Sequence, residues 1–219
     1  MNGPLHSVPG APDTPALQVE TLLRSVTSDP CTSAADMVRL QTRPLEALVS
    51  VEAAPEEAAA AFFAQRRGGG LPDEGWVRLQ WYGEDLTEPE LWESVGFHWS
   101  ELVGALAVAL NASEDAFGQC IPLIEEDGLS RVRLEVTGGG VVATGLGPRR
   151  LFGAPADVLS PLLAGARRWL TFCRDELGLR PTPPLSVLDE LDGLLARHLQ
   201  RTGHVGPARR PSSSASPSA

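Results

Sequence analysis

The segment from Arg131 to Val142 constrains the fold of this chain most strongly. Apolar residues alternate there with charged ones before a triple glycine at 138–140; the apolar set is Val132, Leu134 and Val136, and the charged set is Arg131, Arg133 and Glu135. Alternation with a period of two is typical of a strand with one buried face, and a glycine run after it favours a turn. The segment therefore predicts an antiparallel hairpin in the middle of the chain.

Two apolar stripes with helical spacing follow this hairpin. The first begins at Ser160–Pro161, a cap followed by a first helical position, and ends at Gly178. Its apolar members are Leu162, Ala166, Trp169, Leu170, Cys173 and Leu177. The second begins at Ser186 and Asp189, a capping box, and its stripe consists of Leu188, Leu191, Leu195 and Leu199. Two helices joined by a short proline-rich turn are expected to pack against the sheet.

The sequence thus predicts an α+β fold: an antiparallel sheet with a meander around 117–146, covered on one face by helices that include two C-terminal antiparallel helices. The meander strands are expected at 117–125, 129–137 and 141–146. Two further strands are expected at 45–52 and 76–82. Four further helices are expected at 17–26, at 55–67, from Thr87 to Gly96 (a capping box with Glu90), and at 100–111. The segment at 100–111 also fits the two-residue period of a strand, and its alanines favour the helix.

The ends of the chain differ in composition from its centre. Residues 1–15 and 203–219 are rich in proline, glycine and serine and contain little apolar surface to bury. We expect a disordered leader at 1–15, a single α+β domain at 16–202, and a disordered tail of serine, proline and arginine at 203–219.

The charge of the chain is strongly negative. There is no lysine, and residues 1–200 contain 15 arginines against 28 carboxylates, a formal charge of −13. Such a surface repels phosphate, which argues against nucleic acid or an anionic membrane as the main partner. A protein with a basic surface is the natural electrostatic complement.

Signatures of catalysis or metal binding are weak. Three widely spaced cysteines form no zinc or disulfide pattern, and without lysine there is no phosphate-binding loop of the lysine type. His98 and Glu101 lie one helical turn apart, but a metal site needs more ligands than these two. We predict no catalytic, cofactor-binding or metal-binding residues. The sequence shows no secretory signal and no apolar run of about 20 residues, so the cytoplasm is the expected compartment.

The most suggestive cluster is aromatic and lies between residues 76 and 99. Four tryptophans occur there, interleaved with carboxylates, and aromatic anchors inside a polar rim are typical of protein interfaces. In the strand at 76–82, Trp81 shares a face with Val77 and Leu79 and is expected in the core, whereas Trp76 and Tyr82 lie on the opposite face. The predicted partner-binding residues are Trp76, Tyr82, Asp85, Glu88, Glu90 and Trp92. Core packing of the whole cluster is the competing explanation.

These observations favour a non-enzymatic cytoplasmic protein-binding module, similar in role to a chaperone, adaptor or immunity protein, that binds a basic partner. One alternative is a small-molecule-binding protein or enzyme with a pocket between sheet and helices, using His98 or carboxylates in 84–93. A second alternative is a homo-oligomeric structural protein, such as a homodimer, in which the aromatic cluster closes its own interface.

Overall fold

A computed structural model describes residues 16–25, 38, 42–68, 72–87, 93–111, 133–137, 140–144 and 151–201. The strands are β1 (Leu17–Arg24), β2 (Leu48–Ser50), β3 (Glu74–Trp81), β4 (Glu84–Asp85), β5 (Glu93–Ser94), β6 (Arg133–Thr137), β7 (Gly140–Thr144) and β8 (Leu151–Gly153). The helices are α1 (Pro55–Arg67), α2 (Val95–Asn111), α3 (Pro155–Asp175) and α4 (Leu185–Arg201), with a short 3-10 turn at Pro44–Ala47 before β2. The predicted α+β class is confirmed.

The strands form two antiparallel sheets. The larger sheet has the order β2-β1-β3-β4, and β5 pairs with the opposite end of β3. Its central pair runs from Leu17 opposite Trp81 to Leu23 opposite Gly75. The smaller sheet has the order β6-β7-β8, so the hairpin expected around the triple glycine is present in its described residues. The strand expected at 117–125 lies outside the described residues, as do both predicted tails.

The core lies between the larger sheet and helices α2 and α3, with α4 packed on both helices. At its centre Trp99 of α2 and Thr21 of β1 are completely buried, and the indole Nε1 of Trp99 donates a hydrogen bond to Thr21 Oγ1 at 3.2 Å. Gly165 of α3 lets the helix approach this pair, because a Cβ there would lie 2.6 Å from the Trp99 ring. The apolar stripe predicted for α3 is buried as expected.

The segment at 17–26 was expected to be a helix, and this prediction is wrong. The residues form the central strand β1, which pairs with β2 and β3 on its two sides. Leu22, which lies on the face away from α2 and α3, is also buried, so the polar-apolar alternation that marks a strand is weak there. A strand buried on both faces cannot be distinguished from a helix by periodicity, and tertiary packing decides.

Several predicted helix boundaries are also wrong. Residues 93–94 form a strand, and α2 begins at Val95, so no helix ends at Gly96. Helix α3 begins at Pro155 instead of Ser160–Pro161, and Pro161 lies inside it. Pro161 lacks the amide that would bond to the Asp157 carbonyl, which is unfavourable inside a helix, and burial of the apolar stripe of α3 outweighs this cost. The helices predicted at 55–67 and 100–111 and the second C-terminal helix are confirmed, but the last begins at Leu185, so Ser186 lies inside it instead of capping it. No helix in the described part of the chain is long and apolar enough to cross a membrane.

Candidate functional site

The turn between β3 and β4 holds the most exposed aromatic side chain that the structure describes. Tyr82 is 63% exposed, and its ring meets the Trp81 ring edge to face, with centroids 4.9 Å apart. Its φ is +49°, and Gly83 follows with a φ of +82°. Two successive positive φ angles are typical of a two-residue hairpin turn, where asparagine and glycine are favoured over a bulky residue. A tyrosine kept in this conformation points to a role for its exposed ring.

Trp76 lies on the outer face of the larger sheet, opposite the helices, as the alternation predicted. It is nevertheless only 4% exposed, so the expectation that its ring is accessible to a partner is wrong. The indole Nε1 donates to Thr87 Oγ1 at 2.9 Å, and the Arg78 guanidinium lies over the ring at 5.6 Å. Residues 42–46 also border it. Trp81, which was predicted to lie in the core, is half-buried and packs against the core on the inner face of the sheet.

A groove of about 380 Å³ opens on this outer face, between residues 42–46 and the sheet. Trp76 forms part of its floor, and Arg78 and Asp85 line its sheet side. On the opposite wall Leu45 is 48% exposed. The groove thus combines apolar surface with charged groups, and it lies along β3, which ends at Trp81 just before Tyr82.

Three charged side chains form a ladder across the outer face. Arg78 donates to both oxygens of the exposed Asp85 carboxylate, at 2.7 and 3.3 Å, and lies 3.6 Å from Glu20 on the neighbouring strand. The hydrogen bond that Arg78 donates to Asp85 raises the pKa of Arg78 above its ordinary value. Asp85, a predicted partner-binding residue, is therefore bound within the sheet surface and its charge is partly balanced.

Thr87, which was predicted to be part of a capping box, forms hydrogen bonds with β3. Its hydroxyl accepts the Leu79 backbone N–H at 3.1 Å and donates to the Val77 carbonyl at 3.1 Å, besides accepting the Trp76 indole. It therefore provides hydrogen-bond partners for the backbone of β3 between the two short strands β4 and β5. Arg78, Leu45 and Thr87 are components of this surface that the sequence did not reveal. The predicted residues Glu88, Glu90 and Trp92 lie outside the described residues.

His98, the residue named for the alternative function, and Glu101 both lie in α2. Burial lowers the pKa of His98, although the nearby charge of Asp73 opposes this shift, and burial raises the pKa of Glu101. Glu101 Oε2 is buried and has no hydrogen-bond partner, so this oxygen does not orient the imidazole. Within the described residues there is no group of three or more side chains that could hold a metal ion.

The thiol of Cys173 is also unsuited to nucleophilic chemistry. Burial, together with the negative charge of Asp73, raises its pKa to about 12. Because the thiolate is the reactive form, this thiol is inert at neutral pH.

Comparisons with family models, with curated proteins and with solved structures gave no match to this chain.

Proposed function

We propose that this chain is a non-enzymatic, cytoplasmic protein-binding module that engages a basic partner through the outer face of its larger sheet. The binding surface comprises the groove beside Trp76 with its charged groups on the outer face, and the Tyr82 turn at the end of β3, whose ring contacts Trp81; we call it the outer-sheet surface. The observation that carries the proposal is Tyr82, a 63% exposed aromatic side chain held at a φ of +49°. Tyrosine is enriched among the residues that dominate binding energy in interfaces.

The composition of the surface supports a protein partner. Tyr82 and Leu45 are large exposed apolar groups at either side of it, surrounded by charged residues. Interfaces commonly have apolar anchors within a polar rim that excludes water from them. The buried Trp76 gives the groove a rigid floor, because its indole is hydrogen-bonded and its ring is covered by Arg78.

The charges of the surface support a basic partner. Its described carboxylates are Glu20, Glu46 and Asp85, and its described guanidinium groups are Arg43 and Arg78. Arg43 lies 3.2 Å from Glu46 and Arg78 is bound to Asp85, so the surface keeps an excess of carboxylates, which is part of the −13 of residues 1–200. This excess raises the association rate of a cationic partner, and the effect decreases with salt.

The test compares Tyr82→Ala with Phe97→Ala. Phe97 is a matched control because it is 54% exposed but lies in α2, away from the outer-sheet surface. Tagged variants are used to capture proteins from native lysate at low and high salt, with quantification by mass spectrometry. We expect a basic protein whose recovery falls about tenfold with Tyr82→Ala, which corresponds to about 1.4 kcal/mol. Recovery should fall with salt and be unchanged by Phe97→Ala. Equal recovery by the wild-type protein and Tyr82→Ala at both salt concentrations would refute the proposal.

A second variant separates binding from stability. Tyr82→Asn places a residue that tolerates positive φ in the turn, but removes the ring contact with Trp81. A left-handed conformation costs most residues about 1–2 kcal/mol, and an aromatic pair contributes about 0.5–1.5 kcal/mol. The free energy of unfolding should therefore be unchanged or higher, while partner recovery is lost. A variant that unfolds more easily and still captures the partner would assign Tyr82 a structural role instead.

A further inference from the structure

A second groove, of about 310 Å³, lies on the other side of the molecule, where the N-terminus of α2 meets the C-terminus of α3. Its walls are mostly aromatic and aliphatic; they include Phe62, Phe97, Trp169, Leu170 and Leu179. Ligand pockets are commonly about 300–1,000 Å³ and mainly apolar with a few polar groups, so this groove suits a molecule of amino-acid size.

Two side chains of opposite charge line the same groove, Asp73 and Arg180. Asp73 Oδ2 accepts hydrogen bonds from Ser94 Oγ at 2.6 Å and from the Gly96 backbone N–H at 2.9 Å. The carboxylate thus occupies the positive end of α2 and is held in one position. Arg180 is exposed, and among the described residues it makes no ion pair, with Asp73 or with any other carboxylate. The two charges face the groove without neutralising each other.

The walls that carry these charges are tied together. Ser100 Oγ lies within hydrogen-bonding distance of two carbonyl oxygens, that of Gly96 in its own helix at 2.9 Å and that of Thr182 in the loop that carries Arg180 at 3.3 Å, and its single O–H is shared between them. Gly96 has no side chain to block the approach of Asp73, since a Cβ there would lie 2.8 Å from Asp73 Oδ2. The field of Asp73 extends into the groove, because it contributes to the raised pKa of Cys173, which lines the same space.

We infer that this groove binds a small zwitterion with an apolar body, such as an apolar α-amino acid, whose ammonium group meets Asp73 and whose carboxylate meets Arg180. The Asp73 carboxylate favours a positive group and the Arg180 guanidinium favours a negative one, so together they select a molecule that carries one charge of each sign. The aromatic walls accept the apolar body, and an aromatic ring also favours a nearby ammonium group. The site is separate from the outer-sheet surface and does not depend on it.

The test uses isothermal titration calorimetry with L-phenylalanine, and with L-leucine in case the groove admits only the smaller side chain. Two probes each lack one charge: 2-phenylethylamine has no carboxylate, and 3-phenylpropanoate has no ammonium. We expect a dissociation constant of about 1 mM or lower for one of the amino acids, and binding at least about tenfold weaker for both truncated probes. At 10 mM, the amino acid should raise the melting temperature by about 3–6 °C through mass action.

Variants locate the site. Arg180→Gln should weaken amino-acid binding at least about tenfold and leave 2-phenylethylamine binding unchanged, while Arg174→Gln, an exposed arginine paired with Asp175, is the control. Asp73→Asn should abolish binding of the amino acid and of 2-phenylethylamine. Circular dichroism checks that α2 remains folded in this variant. Absence of heat with both amino acids would overturn the inference. So would equal affinity for 3-phenylpropanoate, or unchanged amino-acid binding by Arg180→Gln.

Discussion

Replacing Thr21 with valine tests the hydrogen bond at the centre of the core. Thr21 and Trp99 are both completely buried, and the bond between Trp99 Nε1 and Thr21 Oγ1 is 3.2 Å long. Valine has nearly the same shape as threonine but cannot accept this bond, so the indole N–H is left buried without a partner. Such a loss costs about 1–3 kcal/mol. Because 3.2 Å is at the long end of such bonds, we expect the free energy of unfolding to fall by about 1–2 kcal/mol.

A double-mutant cycle isolates this contribution. Trp99→Phe removes the donor, so Thr21→Val in that background should cost less than about 0.5 kcal/mol. Urea unfolding of the wild-type protein, both single variants and the double variant gives the coupling energy, expected to be about 1–2 kcal/mol. Thr21→Ser retains the hydroxyl and serves as a control, because its cost should not depend on the residue at position 99. The reasoning is refuted if Thr21→Val costs the same with tryptophan and with phenylalanine at that position.

Three further predictions concern stability and reactivity. Gly165→Ala should lower the free energy of unfolding by at least about 1 kcal/mol, because its Cβ would lie 2.6 Å from the Trp99 ring and 2.7 Å from a Val19 methyl group. Gly193→Ala, in α4 with ordinary contacts, should raise it by up to about 1 kcal/mol; urea unfolding measures both, and equal effects would contradict the packing argument. In a Cys31→Ser, Cys120→Ser background, Cys173 should resist iodoacetamide at pH 8 until urea unfolds the protein, whereas rapid labelling of the native state would be incompatible with its pKa of about 12. Since this pKa is raised above its unfolded value, the stability associated with the protonated thiol is complete below about pH 8.5 and is lost as the pH rises towards 12. The pKa of His98 is lowered, so its contribution is present above about pH 6.5 and is lost as the pH falls through the folded-state pKa. His98→Gln should therefore lose less stability than the wild-type protein between pH 7 and pH 5, and parallel urea titrations with identical losses would exclude this effect.

The strand at 76–82 shows how much of the outer-sheet surface the sequence pattern could predict. Alternation in the strand at 76–82 placed Val77, Leu79 and Trp81 on the inner face and Trp76 on the outer face, and this assignment is confirmed. The burial of Trp76 was not predictable, because it results from contacts with Thr87 and residues 42–46 that are remote in sequence. The positive φ of Tyr82 was likewise not evident, since the Tyr-Gly pair is a weak turn signal compared with Asn-Gly.

Local patterns in the sequence determine the elements that bury one face. The apolar stripes of α3 and α4 and the hairpin around 138–140 follow from periodicity, because a single buried face imposes a repeat of 3.6 or of two residues. The helix at 55–67 follows from its alanines and the charges at its ends, and the helix at 100–111 from its alanines. Where both faces are buried or a side chain bonds across the sheet, this repeat disappears. That is why β1 was mistaken for a helix and why the hydrogen bonds of Thr87 to β3 were not predicted. The juxtaposition of Asp73 with Arg180 depends on packing between segments about a hundred residues apart, and only the folded chain brings such residues into one groove.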